Sequence, residues 1–178
     1  STRPRTLFPY TTLFRSTSTI TIVPSNDAPV TDLNGAPGGD DATASFTEDG
    51  AATLIAPAGT ITDVDDANME SLTITLSNRP DGAAESLSLN AAAATAAAGL
   101  TITAYNATTG ELVISGPATK ATYQTILQGV LYNNTDQDPD AASRIVNVVV
   151  NDGTANSVLN TSTITIVPSN DAPVTDLN

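Results

Sequence analysis

Residues 63–66 read Asp-Val-Asp-Asp, and this is the place in the chain where side chains could do chemistry. Asp63 and Asp65 are two positions apart, so an extended backbone aims both carboxylates the same way. Hard oxygen donors held close together repel one another unless a cation sits between them, and calcium takes such ligands. The alternative is a solvated acidic turn. A second acidic loop, 136–140, reads Asp-Gln-Asp-Pro-Asp and spaces carboxylates like positions 1, 3 and 5 of a calcium loop. There Ala141 stands where glycine is needed and Asn147 where a closing Glu belongs, so it reads as a solvated loop. Glu48-Asp49-Gly50 is open between a ligand-bearing turn and an ordinary β-turn. The chain has no Cys and no His. That excludes thiolate metal sites, the usual zinc ligand and the usual general base. An enzyme would need paired carboxylates in a cleft, as a glycosidase does; here the acids gather at turns and joints, and the expectation is a non-catalytic protein.

The elements that must position these acids are organised around a duplication. Residues 17–34, TSTITIVPSNDAPVTDLN, recur letter for letter at 161–178, an offset of 144 positions. Eighteen identical residues in two places mark a tandem array. Within them TSTITIV alternates hydroxyl and apolar side chains, as a half-buried strand does, and Pro24 stops it. The expected division is one complete repeat at 26–169. Residues 17–25 are then the last strand of an upstream repeat, and 170–178 the linker and start of the next. The 17–23 strand is expected to be disordered or to pair with an exposed sheet edge.

The formal net charge is −13, and from Thr17 onward 19 acids face three bases. This argues against nucleic acid and anionic membrane surfaces and favours bound cations or simple solubility. No apolar run approaches membrane-spanning length, so no direct membrane insertion is expected. Residues 1–16 differ in kind, holding Arg3, Arg5, Arg15 and two of the three Phe. Residues 6–16, TLFPYTTLFRS, resemble the translation of a sequencing adapter, which implies an artefactual leader on a coding sequence assembled from environmental reads.

Short alternating stretches at 53–55, 60–62, 72–76, 87–89, 100–105, 112–114, 130–132, 144–150 and 161–167 read as strands separated by turns. One helix is expected at 117–128, capped by Ser115 or Gly116, with Tyr123, Ile126, Leu127 and Val130 on one face and Gly129 closing it. The alanine-rich 91–98 lacks an amphipathic pattern and reads as a loop or single turn. Together these give an all-β, antiparallel Greek-key β-sandwich with one short crossover helix.

Glu48, Gly59-Thr60, Thr62-Asp63-Val64-Asp65 and Leu72-Thr73-Ile74-Thr75-Leu76, in that order, resemble the opening of a cadherin repeat. Val148-Val149-Val150-Asn151-Asp152-Gly153, Ile164-Thr165-Ile166 and the joint Asn26-Asp27-Ala28-Pro29 resemble its close. The segment from Gly110 through the helix to Leu131-Tyr132-Asn133-Asn134 looks like the bacterial cadherin-like repeats of giant surface adhesins. The resemblance covers nearly all of 26–178 and implies an immunoglobulin-like sandwich with Ca2+ at each inter-domain junction. It assigns Asn26, Asp27, Asp63, Asp65 and Asp152 to the upper junction, and Glu48, Asn170 and Asp171 to the lower. Pro24 stands where the family's linker usually begins with an acid, and the usual mid-domain acidic motif is replaced by the helix. Both departures imply fewer or weaker ions per junction. The function implied is an extracellular spacer or adhesion module at the cell surface. Its partners would be neighbouring repeats, with a cell-surface glycan or protein reached through other domains. The rival is a carbohydrate-binding module, which would need an aromatic platform from Phe46, Tyr105, Tyr123 or Tyr132.

Overall fold

The computed structural model describes residues 16–35 and 37–171. The expected leader lies, apart from Ser16, outside the described residues, as do 172–178 of the expected next repeat. In chain order the strands are β1 (Val30–Asp32), β2 (Ala42–Thr47), β3 (Thr53–Leu54), β4 (Thr60–Thr62) and β5 (Asn68–Leu76). A single 3-10 turn, Gly82–Ala84, leads into β6 (Glu85–Leu89), helix α1 (Ala91–Ala96), β7 (Thr101–Asn106) and β8 (Glu111–Thr119). Helix α2 (Lys120–Gln128), β9 (Val130–Asn134), β10 (Arg144–Asn151) and β11 (Asn160–Val167) complete the order.

The fold is mostly β and multi-sheet, with two helices, consistent with a β-sandwich. Six strands form the large sheet in the order β2-β11-β10-β5-β8-β7, three form a second, β3-β9-β6, and β1 pairs with β4. Strict alternation explains the core. In β10 Val146, Val148 and Val150 are buried while their neighbours are half-exposed, and in β11 Ile164 and Ile166 are buried in the same way. Against these pack Tyr132 from the three-stranded sheet and Tyr123, Ile126 and Leu127 from α2, in one continuous cluster. Phe46 of β2 meets Tyr132 of β9 edge to face, ring centroids 5.4 Å apart.

The structure corrects three expectations. The large sheet is not wholly antiparallel: β2 runs parallel to β11, from Ala42 opposite Ser162 to Thr47 opposite Val167. Hydrophobic alternation specifies a strand but not its direction, so periodicity could not reveal this.

The helix starts at Lys120, not Pro117. Strand β8 continues through Thr119, whose hydroxyl accepts from the Thr122 amide and caps α2 in place of Ser115 or Gly116. Between Met69 and Ser71 the β5–β8 register slips. Gly116 lies in that irregularity with φ of 123°. Pro117 needs no ladder partner there, which removes the reason to place it at a helix start.

Residues 91–96 are helical. Asn90 accepts from the Ala93 amide, and Ala93 and Ala97 are buried. Gly129 explains why this short helix persists: a Cβ there would lie 2.5 Å from the Ala93 Cβ and 2.5 Å from Asn90 Oδ1. Its absence lets α1 close on the end of α2.

Of the two alternatives expected for residues 17–23, pairing with a sheet edge is not found: they form no strand and are exposed, with Ile20 and Ile22 each at 84 %.

Candidate metal centre

The joint and the acidic knot meet at one end of the domain. Asp63 follows β4, and its Oδ1 accepts from the amides of Asp65 (3.1 Å) and Asp66 (2.9 Å), which winds the knot into a tight turn. The Lys120 ammonium donates to the Asp63 carbonyl at 2.7 Å, pinning the knot to the first turn of α2. Carboxylate oxygens of Asp63, Asp65 and Asp66 all lie within 4.8 Å of one another. The Asp63 Oδ2 atom is buried and has no hydrogen-bond partner.

The linker folds over this knot. The Asn26 side-chain amide donates to Asp152 Oδ2 at 3.0 Å and to the Asp27 carbonyl at 2.9 Å, and the Asp27 amide donates to Asp65 Oδ2 at 3.1 Å. Asp152 is itself held by the amides of Thr154 and Ala155, both bonded to Oδ1. Thus Asn26, Asp27, Asp63, Asp65 and Asp152 converge. Asp66 belongs with them although the sequence reading did not include it among the ligands. The signal was present, since it completes the Asp-Val-Asp-Asp run, but a strict two-residue alternation puts it on the opposite face. The tight turn cancels that alternation.

Charge crowding and local hydrogen bonds shift the protonation of these groups in opposite directions. Partial desolvation and the charges of Asp65, Asp63 and Asp152 push the Asp66 carboxyl above its ordinary value. Burial would raise Asp63 too, but the amides of Asp66 and Asp65 outweigh it, helped by the Asp65 side chain and Lys120, and hold it below. Asp152 is held low chiefly by the Asn26 side chain, then by backbone amides.

Glu48, Asn170 and Asp171 lie at the opposite end. The β2–β11 pairing runs down to Val167, whose carbonyl accepts from the Glu48 amide at 3.0 Å. Glu48 is only 3 % exposed; its Oε2 accepts from the Ser169 amide at 2.6 Å, while Oε1 is buried without a partner. Asn170 donates to the Asp171 carbonyl at 3.1 Å, the same local bond that Asn26 makes to Asp27. The two copies of the joint thus share this local hydrogen bond at the two ends of the domain.

The donor set fits a hard divalent cation. Oxygens on opposite sides of a calcium ion with bonds of about 2.3–2.6 Å stand roughly 4.6–5.2 Å apart, so three carboxylates this close can share one ion. The unpartnered Asp63 Oδ2 is a buried acceptor that such an ion would satisfy. The loop at 136–140 does not gather its carboxylates on a common point. Asp136 and Asp140 accept from the amides of Asp138 and Ala142, and Gln137 reaches across to Asp49. Comparison with protein-family models, with curated proteins and with solved structures found no match.

Proposed function

We propose that the chain carries a cadherin-like, Greek-key repeat of a bacterial surface protein. It acts as a non-catalytic extracellular spacer or adhesion module whose inter-domain hinges are stiffened by calcium. The observation that carries this reading is the duplicated joint. Ser169 is held by Glu48 at one end of the domain, while Asn26 and Asp27 are held by Asp152 and Asp65 at the other. Because 25–27 and 169–171 are the same three residues, the two halves overlay into one hinge. Glu48 of the preceding repeat grips its first residue, and Asp63, Asp65 and Asp152 of the following repeat grip the next two.

When bound, calcium would supply the positive charge that lets Asp63, Asp65, Asp66 and Asp152 stay together ionised. The chain's own contribution is to bring them within reach of the linker. Without the ion, repulsion among them favours an open joint. A rigid hinge and a loose one differ in the domain-to-domain angle, which small-angle scattering of a two-repeat polypeptide reads directly. The distribution is expected to narrow when calcium is added and to stay broad when Asp63 and Asp65 of the second repeat are alanine. A distribution unchanged by calcium would refute the mechanism.

No observation favours the carbohydrate-binding alternative. Phe46, Tyr123 and Tyr132 are buried in the core and Tyr105 is half-buried, so these residues offer no exposed stacking platform. Among the described residues no helix is long and apolar enough to cross a membrane.

A further inference from the structure

The 178 residues contain two copies of the TSTITIV strand and, in the described structure, one slot for it. The copy at 161–167 fills that slot between β2 and β10, burying Ile164 (0 %), Ile166 (4 %) and Ser162 (0 %), whose hydroxyl donates to the Ile55 carbonyl at 2.6 Å. The copy at 17–23 carries the same side chains exposed. We propose that residues 17–23 of one molecule can occupy the β11 slot of a second molecule, joining copies of this chain head to tail.

Direction decides between exchange within a chain and exchange between chains. Strand β11 runs from Asn160, beside Thr31 and Asp40, to Val167, beside Glu48. Were 17–23 to sit in its own domain's slot, Val23 would stand level with Val167. Asn26, three residues later, would have to reach Asp152 at the other end. Three extended residues span at most about 11 Å, whereas seven strand steps cover roughly 23 Å. Insertion within one chain is thereby excluded while Asn26 keeps its place.

Between chains the same direction is productive. Residues 17–23 inserted into a second molecule bring Ser25 to that molecule's Glu48, in the position Ser169 holds, and place the first molecule's Asn26 and Asp27 directly beyond it. The exchange thus builds a complete hinge from two copies, an advantage that rests on the calcium reading above. The strand contacts themselves are close to neutral, because the incoming and departing residues are identical. What is lost is Asn160, whose side chain bonds the Thr31 and Asp40 carbonyls and whose counterpart is Ser16. The arrangement is heterologous and open-ended, so it extends beyond a dimer. Because β11 is an interior strand, exchange requires much of the sheet to open and belongs to refolding, not to mixing of native molecules.

The test is to refold the 178-residue polypeptide from denaturant at high concentration, with calcium or with chelator, and measure mass by light scattering. Three forms are compared: the unaltered polypeptide, Ile20→Asp with Ile22→Asp, and Asp63→Ala with Asp65→Ala. The unaltered polypeptide is expected to give a ladder of head-to-tail species. The Ile20/Ile22 variant should give monomer alone with an unchanged unfolding midpoint, since both residues are exposed in the monomer. A ladder that grows with calcium and shrinks in the Asp63/Asp65 variant supports exchange and hinge together. A ladder indifferent to calcium and to the Asp63/Asp65 change, but abolished by Ile20→Asp with Ile22→Asp, supports the exchange and removes the hinge as its driving force. Monomer from the unaltered polypeptide in every condition, or a ladder that survives the Ile20/Ile22 change, would overturn the proposal.

Discussion

Asn26 and Asp152, 126 positions apart, are joined by a hydrogen bond of 3.0 Å from the Asn26 side-chain amide to Asp152 Oδ2. This bond fastens the joint to the loop between β10 and β11, and so fixes where the chain enters the domain relative to the acidic knot. Replacing Asn26 with Ala should free the linker with little effect on the core, because the bond is exposed. The expected loss is at most about 1 kcal/mol of global stability. Hydrogen exchange should speed up at Asp27 and leave β10 protected. Faster exchange throughout β10 would show that the contact does more than hold the entry.

Asp66 gives a pH signature. Its carboxyl is raised, so its contribution to stability is present below the ordinary carboxylate value and is lost as pH rises through the raised one. Asp63 and Asp152 are lowered, so theirs is present above the ordinary value and disappears as pH falls through the lowered ones. In chelator, Asp66→Asn should therefore raise the thermal midpoint at neutral pH. The advantage should vanish in acid, where the natural Asp66 is protonated. A neutral-pH midpoint that falls would contradict the crowding argument.

Arg144 is wholly buried, its guanidinium paired with Glu85 and Asp81 and donating to the carbonyls of Asp140 and Ala142. Tyr132 also donates to Glu85, tying the ion pair to the aromatic pair at the centre of the core. Arg144→Leu leaves Glu85 buried with its charge uncompensated. Denaturant unfolding should show a loss of about 3–5 kcal/mol. A loss below about 1 kcal/mol, the scale of an exposed pair, would mean the network is solvated.

Gly129 is required by a close approach, not by a left-handed backbone. Gly129→Ala must push α1 away from α2, and overpacking of this kind costs about 1–3 kcal/mol. An unchanged denaturation midpoint would show that α1 is free to shift.

Much of this architecture was legible because alternation is strong. Strands β10 and β11, and β5 from Leu72 onward, carry a clean period of two, and the three strands form the centre of the large sheet. What escaped were features set by tertiary contact. The parallel sense of β2 depends on where the loop after Asp32 delivers the chain. Helix α1 depends on the missing Cβ of Gly129, 32 positions beyond Ala97, and a local window of alanines carries no trace of it. At the joint, the grouping of Asn26, Asp27, Asp63, Asp65 and Asp152 at one end and Glu48, Asn170 and Asp171 at the other was implied by the resemblance to a cadherin repeat, while the duplicated stretch itself marked only Asn26, Asp27, Asn170 and Asp171. The place of Asp66 was not, because it follows from a turn closed by Asp63 and not from strand geometry.

The central claim is that a cation sits at the hinge, and calorimetric calcium titration of an intact two-repeat polypeptide tests it most directly. The account predicts binding that is lost when Asp63 and Asp65 of the second repeat are changed to alanine. No heat of binding in the natural form, together with no calcium-dependent rise in its unfolding midpoint, would contradict the account and leave a β-sandwich repeat without the mechanism assigned to it.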